Sequence, residues 1–218
     1  MTIVHYSTER SLATDSPQYL WLSRTLRSID RSVTPWVIAM GHRPTYVDWK
    51  AGASEEFDNM AYYQNLLDPL FTETKVDLVF HGHKHVTQRH CACYMGRCVQ
   101  NSTFDPATNM NVYRSPQNPV YLVMGNSGAT SGAKSQGSPT GSGRKFTAWE
   151  SARPAYMRFS ISDNTLKIQY VDARSYAILD TSMIIKGPPV CLQDTPVTPA
   201  AKNAIFLSID GLHQGDLD

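Results

Sequence analysis

The chain has 218 residues, of which 41% are hydrophobic and 18% charged, a composition that fits a globular protein with one substantial core or two small ones. Twenty Lys and Arg stand against 19 Asp and Glu, a net charge of +1 with no basic run that would track a phosphate backbone, so nucleic acid is not an expected partner. No apolar stretch approaches the roughly 20 residues that span a bilayer, so no membrane partner is expected, and the amino terminus lacks the basic-then-apolar pattern of a secretory signal.

Ser16-Pro17 followed by Tyr19, Leu22, Leu26 and Ile29 reads as an N-cap, a first-turn proline and an apolar stripe, which predicts a helix from about 17 to 29. Trp36 to Met40 and Val76 to Phe80 are short apolar runs closed by Gly41 and by His81-Gly82, each bounded as a buried strand is. Between them, Phe57 to Phe71 places Tyr62, Leu66, Leu67 and Leu70 on one helical face, so strand, helix and strand alternate as in a layered α/β sheet.

Three of the four cysteines fall in Cys91-Ala-Cys-Tyr-Met-Gly-Arg-Cys98, while Cys191 stands far downstream. A local disulfide and a metal knuckle are both open, and the lack of a second nearby ligand pair favours the disulfide.

From about residue 119 the pattern turns to strands, at Val120 to Met124, Tyr156 to Ile161 and Leu166 to Val171, with Asp163-Asn164 as a hairpin turn. Residues 126 to 145 hold ten Gly or Ser in twenty positions, the composition of a long mobile loop. The segment from Gly187 to Pro199 contains four prolines and reads as a linker. After it, Lys202 to Leu212 begins with another apolar run and predicts a further strand.

The histidines carry the chemistry. Neutral imidazole is a good ligand for zinc, iron and manganese, and open α/β sheets build their sites just past the carboxyl ends of central strands. His42 and the His81-Gly-His-Lys-His85 group occupy such positions. A lone histidine is more often a hydrogen-bonded structural residue, but three in five residues outweigh that reading.

Trp36-Val-Ile-Ala-Met-Gly-His-Arg-Pro-Thr-Tyr46 and Val76-Asp-Leu-Val-Phe-His-Gly-His-Lys-His85 resemble two signature blocks of the purple acid phosphatases. The second matches the Gly-His-x-His motif of the wider calcineurin-like phosphoesterases. The likeness extends through Tyr6 to Arg10, Asp30 to Trp36, Gln88-Arg89 and Val120 to Asn126, and covers most of residues 3 to 186.

This resemblance implies the carboxyl-terminal half of a four-layer α/β/β/α metallophosphoesterase sandwich that ends in a β-rich segment. The catalytic domain would run over 1–125 and the family's carboxyl-terminal segment over 126–186, followed by a linker at 187–201. It also implies an acid phosphatase that hydrolyses small phosphate monoesters at a binuclear centre, Fe(III) with Zn, Mn or Fe(II). Two such ions clamp the ester, neutralise its oxygens and supply the nucleophile for in-line attack.

By the same resemblance His42 and His83 would bind the second, divalent ion and His85 the first, ferric ion, whereas His81 and His90 match no ligand position. Tyr46, Lys50 and Arg89 are candidate substrate contacts. Cys91 to Cys98 would be the disulfide and Asn101 a glycosylation site, in keeping with a secreted, vacuolar or lysosomal protein.

Relatives also carry Gly-Asp, Gly-Asp-x-x-Tyr and Gly-Asn-His-Glu or Gly-Asn-His-Asp blocks upstream, which supply a bridging aspartate and other ligands, and this sequence contains none of them. The expectation is that the 218 residues alone have weak or no phosphatase activity. A non-catalytic metal- or phosphate-binding remnant and a metallophosphodiesterase are the alternatives. At the tail, Lys202 to Leu212 resembles the opening strand of type I phosphodiesterases and nucleotide pyrophosphatases, so 202–218 would begin a second domain with Asp210 as a metal ligand.

Overall fold

The computed structural model describes residues 1–48, 54–128, 145–187 and 205–207. In chain order the elements are β1 (Thr2–His5), α1 (Pro17–Ser28), β2 (Val37–Met40), α2 (Ser54–Glu73), β3 (Leu78–His81), β4 (Thr87–Tyr94), β5 (Arg97–Gln100), β6 (Thr103–Asp105), β7 (Met110–Arg114), β8 (Val120–Met124), β9 (Thr147–Ser151), β10 (Ala155–Ile161), β11 (Thr165–Asp172), β12 (Ile178–Ile185) and β13 (Ile205–Leu207). Two sheets form, one ordered β1-β2-β3-β8-β4-β5 with β9 also on β4, the other β13-β10-β11-β12-β7-β6.

The first sheet is parallel from β1 through β8 and turns antiparallel at β4. Its central strands read as unbroken apolar runs because both faces are covered. Val37, Ala39, Val79 and Tyr121 point to Leu22 and Leu26 of α1 and to Tyr63, Leu67, Leu70 and Phe71 of α2. Ile38, Met40, Leu78, Phe80, Val120, Leu122 and Met124 point the other way, into Met157, Phe159, Leu166, Ile168, Tyr170 and Ile184 of the second sheet. The period of two along each strand thus sorts the side chains between two cores. Among the described residues this makes three layers, helices on sheet on sheet, and neither helix covers the outer face of the second sheet.

Ser16 caps α1 by accepting from the Tyr19 N–H, with Pro17 at the first helical position, as its sequence predicts. The α2 stripe differs from expectation. Tyr62 is exposed and Leu66 only half-buried, while Met60, Tyr63, Leu67, Leu70 and Phe71 face the sheet. The helix begins earlier than the apolar residues indicate and its buried face is rotated accordingly.

The hairpin at Asp163-Asn164 is present, with Ile161 opposite Leu166. Strands β4 to β7, β9 and β12 have no counterpart among the sequence expectations. The strand at the tail is present as Ile205–Leu207 and pairs antiparallel with β10. Cys91 and Cys98 are disulfide-bonded across β4 and β5, with Cα atoms 5.7 Å apart. Cys93 is a buried thiol whose Sγ lies 3.6 Å from that of Cys91. Lys50, Asp210, nearly all of the Gly/Ser-rich segment and the proline-rich linker after Gly187 lie outside the described residues.

A buried ion pair clamps the two sheets. Arg89 on β4 donates from Nε and Nη2 to both oxygens of Asp180 on β12, at 2.7 and 3.0 Å. Its Nη1 donates to the Tyr113 hydroxyl, which in turn donates to the His90 carbonyl. All three nitrogens of the fork are engaged, which is the condition for burying a guanidinium. Arg89 is 1% exposed, so the substrate contact expected of it is corrected: it faces the seam between the sheets and is fully engaged there.

Candidate metal centre and the network beneath it

The loops that follow β2 and β3 lie side by side. The Gly41 N–H donates to the Phe80 carbonyl and the Gly82 N–H to the His42 carbonyl, so the ladder between the two strands continues past their ends. This brings the His42 and His83 rings edge to face, with His42 Nε2 and His83 Nδ1 3.2 Å apart. Two lone-pair-bearing nitrogens at that separation share a proton in the absence of an ion, or present a common point to one.

The local path is built for this approach. His83 sits at φ 63°, a left-handed conformation uncommon outside glycine and a mark of local strain held by its surroundings. Gly125, at the end of β8, lies against the same turn. A Cβ there would stand 1.9 Å from the Lys84 carbonyl oxygen, so only glycine lets the His83 to His85 turn seat. Gly41 is constrained less severely, because a Cβ would meet a side-chain ring, that of Tyr6, at 2.7 Å.

His85 shares this turn and is half-buried. Among the described residues, however, no group of three or more His, Cys, Asp or Glu side chains is disposed to hold a metal ion. Of the expected ligands the structure therefore pairs His42 with His83, and among the described residues no carboxylate completes a cluster around them. This donor set fits one divalent ion in part. It does not fit a two-ion centre, which needs an anionic ligand to offset two multivalent charges.

Beneath the pair lies a buried polar network. His81 shares a hydrogen bond with the Tyr6 hydroxyl at 2.9 Å and stacks on Tyr121 with an interplanar angle of 7°. Burial, helped by His90 and His42, pulls its pKa down to about 3, so it stays neutral in mildly acidic solution. His90 is also buried, and burial lowers it to about 4 against the opposing pull of Asp48. Neither nitrogen of His90 has a hydrogen-bond partner among the described residues.

Tyr46 is wholly buried and donates to Asp68 at 2.5 Å, which corrects the substrate contact expected of it. Asp68 on α2 also accepts from the Tyr121 hydroxyl and the Met95 N–H, both at 2.7 Å. No cation accompanies this carboxylate in those contacts. Burial pushes its pKa up to about 6, against the lowering effect of its three donors. Asp68 is absent from the sequence candidates, although it falls at helical spacing from Gln64 and Phe71 on the sheet-facing side.

Asp48, six residues after His42, gathers the N–H groups of Lys145, Phe146 and Thr147 on its carboxylate. These hydrogen bonds hold its pKa below the usual carboxylate range despite the opposing effect of burial, and they tie the chain entering β9 to the His42 loop.

Residues 2–87 match the calcineurin-like phosphoesterase family model, the stretch that contains both histidine loops. Over that stretch the chain is similar in sequence to that class. More particularly, a longer part of it is similar to proteins named as acid and purple acid phosphatases.

It is 34% identical over 162 residues to acid phosphatase A of Cryphonectria parasitica, covering 74% of this chain and 29% of that protein. It is 31% identical over 122 residues to purple acid phosphatase 1 of Ipomoea batatas, covering 56% of this chain and 24% of that protein. The chain thus spans under a third of the length of these curated relatives. Among solved structures, a purple acid phosphatase from yellow lupin (Lupinus luteus) seeds superposes with a TM-score of 0.67 at 19% identity, over 84% of this chain and 31% of that one. That likeness shows a shared fold.

Proposed function

We propose that this chain forms the histidine side of the binuclear centre of an acid phosphatase that hydrolyses small phosphate monoesters. The observation that carries the reading is the juxtaposition of His42 and His83, 3.2 Å apart at the carboxyl ends of two adjacent parallel strands. The acid phosphatases among its homologues support the same class of reaction.

In this reading His42 and His83 ligate the divalent ion, Zn, Mn or Fe(II), and His85 the ferric ion. When bound, such a centre supplies Lewis-acid neutralisation of the phosphate oxygens and an activated water. The remaining work of this chain is positional. Gly125 seats the His83 to His85 turn, Tyr6 and His81 lock the ends of β1 and β3 together, and Asp48 anchors the segment that returns beside the His42 loop. Asp68, half-ionised near pH 6, lies beneath rather than in the site.

In this reading the described residues lack a bridging carboxylate beside the histidine pair, so the 218 residues alone are expected to bind metal incompletely and to turn over slowly or not at all. Metal analysis of the purified 218 residues is expected to find fewer than two ions per chain, with little hydrolysis of p-nitrophenyl phosphate at acidic pH. Two stoichiometric ions with turnover would overturn this. Loss of divalent binding in His42→Ala would tie the ion to the pair.

A second reading is metal or phosphate binding without turnover, favoured by the absence, among the described residues, of any three-ligand cluster. A secreted, vacuolar or lysosomal site of action is supported by the Cys91–Cys98 disulfide and by exposed Asn101 in its Asn-Ser-Thr sequon.

A further inference from the structure

A cavity of about 440 Å³ opens at the end of the first sheet opposite the histidines. It lies where the chain enters β2, β3 and β8 and where it leaves β7 and β12, so the length of the parallel strands separates it from His42 and His83. Its charged lining is Arg31, Lys75, Lys186 and Asp77, three cations and a single carboxylate.

Asp77 is fully occupied as a fixed support. It accepts from the Val37 N–H at 2.8 Å, pairs with Lys186 Nζ at 2.7 Å and stands 3.2 Å from Arg31 Nη1. Lys186 is further held with its ammonium 4.2 Å over the Trp36 ring. Two cations are thereby placed on one wall with their geometry set in advance. Arg31 Nη1 is buried against Asp77 and Nη2 donates to the Lys75 carbonyl, so the guanidinium is fixed on the cavity wall beside Lys186.

Lys75 supplies a second, independent observation. The Val76 N–H returns to the Phe71 carbonyl and the Lys75 N–H to the Thr72 carbonyl, which closes α2 in a Schellman motif with Lys75 in the left-handed position. Its φ of 56° is a conformation that glycine adopts without strain and lysine does not. A strained backbone here carries a lysine side chain at the mouth of a cationic cavity, and strain of this kind collects at functional positions.

We infer that this cavity is a second, metal-independent binding site, for a small molecule bearing a phosphate or sulfate group that Arg31, Lys75 and Lys186 receive together. The cavity exceeds a bare oxyanion in size, so the natural occupant carries an organic part that extends along Pro35, Pro116 and Ile184. The inference does not rest on the phosphatase reading, because it uses none of the histidines.

The test is titration of the 218-residue chain with inorganic phosphate in the presence of EDTA, by calorimetry and by ³¹P line broadening. Saturable binding is expected, with a dissociation constant on the order of 1 mM, the affinity of a few charge-assisted contacts, and with competition by sulfate. Lys75→Gly is expected to weaken it about tenfold while leaving Tm unchanged or higher, since glycine suits the left-handed position. Lys186→Met, which keeps an apolar stem on Trp36, is expected to weaken it similarly. Absence of saturation at about 10 mM phosphate overturns the site, as does binding that both variants leave intact. Binding that disappears in His42→Ala/His83→Ala instead assigns phosphate to the histidine pair.

Discussion

The two faces of the first sheet are both buried, yet they handle charge in opposite ways. Toward the second sheet the core is apolar and encloses the ion pair of Arg89 with Asp180, in which each charge has its partner. Toward the helices lies a web of hydroxyls and imidazoles around the Asp68 carboxylate, which is held by donors that carry no charge. The first arrangement fixes how the sheets are stacked. The second makes stability depend on pH and sits directly beneath the histidine loops.

Breaking the ion pair gives the largest expected effect. Asp180→Ala leaves a guanidinium buried and unpaired, at a cost of about 3–5 kcal/mol in urea denaturation. The double variant Arg89→Met/Asp180→Leu is expected to recover most of that loss. If the single and double variants are equally unstable, the damage lies in packing rather than in an uncompensated charge.

The helix side is tested by pH. The Asp68 carboxyl is raised from 3.8 to about 6 in the folded chain, so its stabilising contribution is fully present below about pH 4 and is lost as pH rises through about 6. A carboxyl displaced that far costs the fold about 3 kcal/mol at neutral pH relative to acid. His90 runs the other way: lowered to about 4, it contributes stability above about pH 6.5 that is lost as pH falls toward 4. Between pH 4 and 6.5 the two oppose each other. Asp68→Asn is therefore expected to raise stability at neutral pH and to steepen its fall in acid, as read from Tm across that range. A pH profile unchanged from the parent would remove Asp68 from the account.

A smaller effect on stability, and a larger one on metal binding, is expected from Gly125→Ala. The added methyl displaces the Lys84 carbonyl, at about 1–3 kcal/mol for overpacking, and turns His83 away from His42. Divalent-ion titration separates the two consequences: if affinity is retained while stability drops, the turn does not set the site.

The same contrast explains what the sequence disclosed. The central strands were legible because both of their faces are apolar, and the histidine loops because glycine and histidine cluster at strand ends. Strand β4 was not legible. Thr87-Gln-Arg-His-Cys-Ala-Cys reads as a polar stretch, but every one of those residues is buried, because Arg89 finds Asp180 from 91 positions away and Gln88 finds the backbone of Asp48. Partners so distant leave no local pattern. Tyr46 and Arg89 were misplaced for the same reason: a polar side chain near a site motif looks like a substrate contact until its internal partner is known. The pairing of His42 with His83 was anticipated from family resemblance, whereas the left-handed turn that permits it was not.

Trp36 has one more consequence. Its indole is fully enclosed, its N–H donates to the Ser162 carbonyl at 2.7 Å, and the Lys186 ammonium rests on its face. It spans the boundary between the sheets and also borders the cationic cavity through that lysine. With the other three of the chain's four tryptophans replaced by Phe, Trp36 is an optical reporter, a chromophore whose emission shifts when the sheets part and whose intensity changes when the cation above it is drawn toward another charge.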